Sequence, residues 1–245
     1  MPYSQDRDDV RQLHLIYKDF KEYFILNIKH FNLAFLIPVI LGAILSHNAA
    51  AHNDNPRYPL YAGLIGGVGS TTWDGLVPAK ENQNLALMMS TPTQVQEGGP
   101  VWGVFMGYEL FKYFALEVNY IKYPHAIVHF DPMSIFSAAN DDEQEFTTHA
   151  ETVNLSAKVM VPIPHTTINI YSTAGVARLH REDILIDHWR VTPAFGFGLN
   201  HDFTPHIMGD IGANYTAGFG DAQLSPSDTY YPFLYSGFVR LAYRV

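Results

Sequence analysis

The stretch GGPVWGVFMGYELFKYFALEVNYI (98–121) decides how the whole chain is read. Trp102, Val104, Met106, Tyr108 and Leu110 share one parity, while Val101, Gly103, Phe105, Gly107 and Glu109 share the other. After the break Phe111-Lys112-Tyr113 the alternation resumes, with Phe114, Leu116, Val118 and Tyr120 against Ala115, Glu117 and Asn119. Successive side chains of a strand point to opposite faces. A period of two on both sides of a short break therefore predicts a β-hairpin. One of its faces is apolar and aromatic, and the other carries small, polar and charged residues.

The same pattern spreads outward from this hairpin. Upstream, a strand over about Tyr58–Ser70 sets Leu60, Ala62, Leu64 and Val68 against a face that is mainly glycine. Downstream, Val153, Leu155, Ala157, Val159 and Val161 oppose Thr152, Asn154, Ser156, Lys158 and Met160. Val191, Phe195, Phe197 and Leu199 oppose Thr192, Ala194, Gly196, Gly198 and Asn200. Ile207, Ile211, Ala213 and Tyr215 oppose Met208, Asp210, Gly212 and Asn214. The last strand sets Tyr235, Val239, Leu241, Tyr243 and Val245 against Ser236, Phe238, Arg240, Ala242 and Arg244. A further strand over about Thr166–Leu179 places Ile168 and Ile170 at the parity that later carries Arg178, which predicts a bulge or a shorter strand there. With it the count reaches about eight antiparallel strands, and no amphipathic helix interrupts them.

Alternation alone does not say which face is inside. In a soluble sandwich or lipocalin the apolar faces meet one another, whereas in an outer-membrane barrel they face lipid and the polar faces fill the lumen. Connection length separates the two. Phe111–Tyr113, Pro162–His165 and Asp202–Pro205 are tight turns, while Thr71–Glu97, Pro124–His149, His180–His188 and Ala217–Thr229 are long. Strict short–long alternation is the pattern of periplasmic turns and extracellular loops. Aromatic placement agrees: Tyr58, Tyr61, Tyr108, Tyr113, Phe114, Tyr120, Tyr123, Phe203, Tyr215 and Tyr243 lie toward strand ends, as expected of interfacial girdles.

The first part of the chain reads as an address. LAFLIPVILGAIL (33–45) is a short apolar run preceded by Lys18, Lys21 and Lys29 and followed by Ala49-Ala50-Ala51. A basic n-region, a brief apolar h-region and small residues before the cut describe a secretory signal peptide, here with an extended n-region. A membrane-spanning helix needs roughly 20 apolar residues, which this run does not reach. Residues 1–51 are therefore expected to be a signal peptide and residues 52–245 the barrel.

Composition narrows the function. The chain has no cysteine, which excludes disulfides, thiol catalysis and Cys-based zinc sites. Its net charge of −9 falls entirely after residue 51. So acidic a body argues against nucleic acid as a partner.

With these features the sequence resembles the small outer-membrane barrels of the OmpA-like and opacity-protein (OmpX-like) superfamily. The resemblance is carried by residues 98–121, by FGFGLNHDFTPHIMGDIGANY (195–215) and by the closing FLYSGFVRLAYRV. It implies localisation in the outer membrane of a Gram-negative bacterium, contact with outer-membrane lipids and lipopolysaccharide, and insertion by the barrel-assembly machinery. Tyr235, Val239, Leu241, Tyr243 and Val245 are the residues that machinery would read, although family members usually end in an aromatic residue and this chain ends in Val245.

Several residue groups bear on chemistry. An eight-stranded lumen admits only side chains, so Glu109, Glu117, Lys158, Asp210 and Arg240 are expected to pair into a polar network that plugs it. Gly103, Gly107, Gly196 and Gly198 would leave room for the Lys and Arg stems. His125, His129, His149, His180 and His188 fall near loops, but no helical HxxxH or HExxH sets a ligand geometry, and neither a metal nor another cofactor is expected. The second long loop holds Asp131, Asp141, Asp142, Glu143, Glu145 and Glu151 with no Lys or Arg from Pro124 to Glu151, which predicts a solvated, mobile loop. The expected role is non-enzymatic: a rigid barrel displaying loops to host or envelope protein partners. Two alternatives stand beside it. One is a lipid-modifying enzyme, for which the resemblance implies a Ser–His pair on the lipid-facing rim or an N-terminal amphipathic helix. The sequence has no H-x-S motif, and HNDNPRYP (52–59) is too short for such a helix. The other is an OmpW-like conduit for small apolar solutes, which would need an apolar lumen.

Overall fold

The structure, a computed structural model, describes residues 58–78, 85–219 and 230–245. The expected signal peptide lies outside the described residues. The strands are β1 (Leu60–Ser70), β2 (Gln94–Gln96), β3 (Gly99–Phe111), β4 (Phe114–Lys122), β5 (Ala126–His129), β6 (Glu145–Pro162), β7 (Ile168–Glu182), β8 (Asp187–Asp202), β9 (Ile207–Thr216) and β10 (Leu234–Arg244). Eight of them close a barrel in the order β1-β3-β4-β6-β7-β8-β9-β10, every pair antiparallel, with β10 returning to β1. The two short strands β2 and β5 extend the sheet from the N-terminal end of β6, at the long-loop end of the barrel.

Each wall strand alternates between a buried and an exposed residue, as β3 does along its length. Inward residues are those of the polar parity, and outward residues include Leu64, Val68, Val104, Met106, Leu155, Val176, Phe197, Ile211, Val239 and Leu241. A continuous apolar wall of this extent is unfavourable in water, so its exposure on a closed sheet fits a lipid solvent. Among the described residues no helix is long and apolar enough to cross a membrane; the crossing is made by strands. Closure also fixes a stagger. The hydrogen-bonded path from Tyr61 through Gly107, Glu117, Ser156, Gly175, Ala194 and Thr216 reaches Leu234, which lies opposite position 71, a slip of ten residues per turn. Barrel diameter and strand tilt follow from strand number and stagger together, and at eight strands the interior is filled by side chains.

Three expectations are corrected. Strand β7 keeps an unbroken register against both β6 and β8, so it has no bulge. Arg178 shares the outward parity because this part of β7 stands toward the long-loop rim, where its guanidinium lies over the Trp189 ring at 5.3 Å. Tyr61 and Tyr123 are not girdle residues: both are buried inside. The outward girdles consist of Trp102, Tyr215 and Tyr235 on the loop side, with Tyr108, Phe111, Phe203 and Tyr243 on the turn side. Finally, the acidic second loop is not a free arm, because β5 and the start of β6 form a hairpin there with Val128 and Phe146 buried.

The closing strand presents Tyr235, Val239, Leu241, Tyr243 and Val245 outward, all exposed, while Ser236, Phe238, Arg240 and Ala242 face in.

Candidate functional site

Two interior regions carry the unusual chemistry, one inside the barrel and one above it. In the lumen, Glu117 reaches inward from the middle of β4 and is 1% exposed. Its Oε1 accepts from Lys158 Nζ at 3.0 Å and from the Tyr61 hydroxyl at 2.8 Å, and its Oε2 accepts from Arg240 Nη1 at 2.9 Å. Lys158, fully buried, also lies 3.4 Å from Asp210 Oδ2. Arg240 pairs with the same Asp210 oxygen, and Asn200 Nδ2 donates to Asp210 Oδ1 at 2.6 Å. Two carboxylates therefore face two cations, and the cluster is neutral as a unit. That balance is what makes burial tolerable, because a lone charge here would retain a desolvation cost of several kcal/mol.

Aromatic rings wall this cluster. The Lys158 ammonium sits 4.3 Å from the Tyr171 ring centroid, and the Arg240 guanidinium 4.5 Å from that of Phe105. None of the four glycines leaves its room to a Lys or Arg stem: Gly103 lies against the β4 backbone and Gly196 against Asn214 and Thr173, while Gly107 and Gly198 make way for tyrosines. A Cβ at Gly107 would collide with the Tyr61 ring, and one at Gly198 would meet the Tyr171 hydroxyl at 2.6 Å. Glu109 is not part of the four-charge cluster. It pairs at 2.7 Å with Arg244 near the turn end, and Arg244 also lies 3.1 Å from Asp202. Above the ion cluster the lumen carries no charge: the buried neutral groups Asn119, Thr152, Asn154, Thr216 and Ser236 lie there with the buried Ile121, Tyr123 and Ala194.

Above the barrel mouth, the loops build a second, apolar core. Trp73, from a 3₁₀ turn in the first loop, is fully buried. Tyr230 and Phe146 pack edge-on against it at centroid distances of 4.9 and 5.9 Å. Leu76, Ala126, Val128 and Phe130 complete the cluster, with Val95, Phe136 and Leu185 packed against it. All four loops contribute to it. The buried Arg181 at the top of β7 lies over the Trp73 ring at 4.7 Å, pairs with Asp183 at 2.6 Å and donates to the Tyr230 carbonyl. Glu97 caps the 3₁₀ turn, accepting from the Thr71 hydroxyl and, at 2.9 Å, from the Trp73 N–H. Burial pushes the Glu97 carboxyl above the ordinary carboxylate range, against the hydrogen bonds from Thr71, Trp73 and Asp74, which lower it.

The histidines are scattered. His125 and His149 contact edge-to-face at 4.0 Å, and His180 stacks on Trp189 at 4.5 Å between Glu151 and Asp187. His129 pairs with Glu145 at 3.0 Å, while His188 lies exposed at the start of β8. Among the described residues no group of three or more His, Cys, Asp or Glu is placed to hold a metal.

Tyr61 was missed as a lumen residue by sequence reasoning, although it shares its parity with Gly63 and Ile65 and opposes Leu60 and Leu64. Trp73 was missed because loops carry no periodicity to read, and Arg181 because the strand expected over about Thr166–Leu179 stops short of it, whereas β7 runs on to Glu182.

The sequence matches the family model of the outer membrane protein beta-barrel domain over residues 37–231. No curated protein matches it. Among solved structures it is similar to Neisserial surface protein A, with 10% identity over 76% of this chain and 97% of that one and a TM-score of 0.46. It is similar to the outer membrane protein OprG from Pseudomonas aeruginosa, with 10% identity, coverage of 77% and 97% and a TM-score of 0.46. The attachment invasion locus protein of Yersinia pestis gives 11% identity, coverage of 76% and 98% and a TM-score of 0.37.

Proposed function

Because this chain belongs to the outer membrane protein beta-barrel domain family and resides in the outer membrane, we propose that it is a sealed, non-enzymatic barrel that holds a packed extracellular platform toward other proteins. The observation that carries this reading is the neutral cluster of Glu117, Lys158, Asp210 and Arg240, which spans the lumen from four different strands. Cross-linked charges of this kind resist displacement, since moving one leaves its partners unpaired in a low dielectric. An apolar solute would find no apolar track through them, which speaks against the conduit. The described parts of the loops meet in one core, which supports a surface of fixed shape, the usual basis of recognition by loops on a rigid scaffold.

Liposomes containing the purified barrel test the seal: influx of a small sugar and of an alkane probe should match protein-free liposomes. Uptake of either above that background contradicts a sealed lumen. Mass spectrometry of lipid A from a strain lacking the protein should show an unchanged profile; an altered acylation pattern would instead assign an enzyme.

A further inference from the structure

The platform leaves apolar side chains exposed on its outer side, away from the lipid-facing wall. The short helix Leu85–Ser90 of the first loop neighbours the short helix Ile135–Ala139 of the second. On this pair Leu85 is 68% exposed, Ile135 63% and the adjoining Met133 72%, with Met88 and Met89 exposed as well. Hydrocarbon cannot account for these side chains as it does for the barrel wall, because they belong to loops beyond the strands.

The patch is held from beneath. Phe136 stacks on Phe130 at 4.2 Å, Ser134 caps the helix by accepting from the Ser137 N–H at 3.1 Å, and Asp131 Oδ1 accepts from the Met133 N–H at 2.9 Å. Met133 and Ile135 are thus presented by an anchored segment, which lowers the ordering cost of binding. Methionines make such a surface adaptable to a partner's shape. Beside it stand Asp141, Asp142, Glu143 and Glu145, all exposed, in a segment without Lys or Arg from Pro124 to Glu151.

We propose that this patch docks a basic, amphipathic segment of a partner protein. Its apolar stripe covers Met133, Ile135 and Leu85, and its Lys and Arg side chains face Asp141, Asp142 and Glu143. The sign of the flank argues for this occupant: an anionic lipid surface would be repelled by it, whereas a cationic segment gains both steering and register. A helix laid in an apolar groove with charged flanks is a common mode of peptide recognition. The inference rests on the reading of the loops as an outward platform and adds the class of partner.

The test uses the full barrel in phosphatidylcholine nanodiscs and a fluorescent Leu/Lys helical peptide with one apolar face, with binding followed by anisotropy against empty nanodiscs. The native barrel should bind above that baseline. Met133→Ser with Ile135→Ser, and separately Asp141→Asn with Asp142→Asn and Glu143→Gln, should each weaken binding by about tenfold at low salt. A peptide of the same composition with scattered leucines should be weakened likewise. Equal binding of native and charge-neutralised barrels, or of the two peptides, overturns the proposal. All five substituted side chains are exposed, so the heat-modifiable gel mobility of the variants should match the native barrel. A barrel that stays impermeable to solutes but fails to bind the peptide defeats this inference alone and leaves the sealed lumen standing.

Discussion

The lumen and the loop platform above it are packed around different centres. Below, Glu117, Lys158, Asp210 and Arg240 pair their charges among inward apolar side chains such as Ile65, Phe105 and Phe238; above, Trp73, Val128, Phe130, Phe146 and Tyr230 pack together as apolar side chains. The difference follows from what surrounds each. Lipid takes the apolar parity of the wall strands, so the charged residues fall on the inward parity, where they pair with one another among apolar side chains such as Ile121 and Met208. The loops have no lipid to face, and they bury apolar groups together as a soluble protein does. A barrel of this kind is inside-out in the membrane and ordinary above it.

The contrast predicts different responses to damage. The largest effect belongs to the lumen. Glu117→Ala removes the carboxylate shared by Lys158, Arg240 and Tyr61 and leaves two buried cations with one partner between them, at a cost of about 3–5 kcal/mol. Urea titration of the barrel folded into lipid vesicles should show a lowered midpoint for the whole molecule. An unchanged midpoint would mean that the cations find other partners.

Trp73→Ala should cost about 3 kcal/mol as well, but only in the platform. Hydrogen exchange should quicken at the amides of β2, β5 and the first residues of β6, while the wall amides stay protected. Loss of protection throughout the barrel would show that the two regions fold as one.

A smaller change is expected at the turn end. Glu109→Gln leaves Arg244 with Asp202 at a partly open site, so the loss should be about 1 kcal/mol or less, read from the same urea titration. The smallest effect is a local pH dependence. Burial, then His149 and Lys122, hold the His125 imidazole below its ordinary value of 6.5. Its protonated form is thus disfavoured in the folded loop. The contribution is present above that value and is lost as pH falls through and below it. Exchange of the Ala126–His129 amides should quicken at acidic pH beyond the intrinsic trend, and His125→Gln should abolish the excess.

The same contrast explains what the sequence made legible. Wall strands obey a period of two, so their number, faces and the inward set Glu109, Glu117, Lys158, Asp210 and Arg240 could be written down from residues alone. The partners could not, because the stagger of closure decides which inward side chains share a height, and it placed Glu109 with Arg244 instead of Glu117. Tyr61 was misassigned because a tyrosine near a strand end serves a girdle or a lumen equally well until parity is applied. The Trp73 core was hidden for a different reason. Its members come from four loops distant in sequence, and each residue alone looks like an ordinary loop hydrophobe.

The most direct test of the sealed lumen is single-channel recording in planar bilayers, comparing the native barrel with Trp73→Ala. If the ion cluster closes the barrel, neither protein conducts, because loosening the platform leaves Glu117, Lys158, Asp210 and Arg240 in place. Steady conductance from the native barrel would contradict the seal altogether, and conductance that appears only once Trp73 is removed would move it from the charged lumen to the loops.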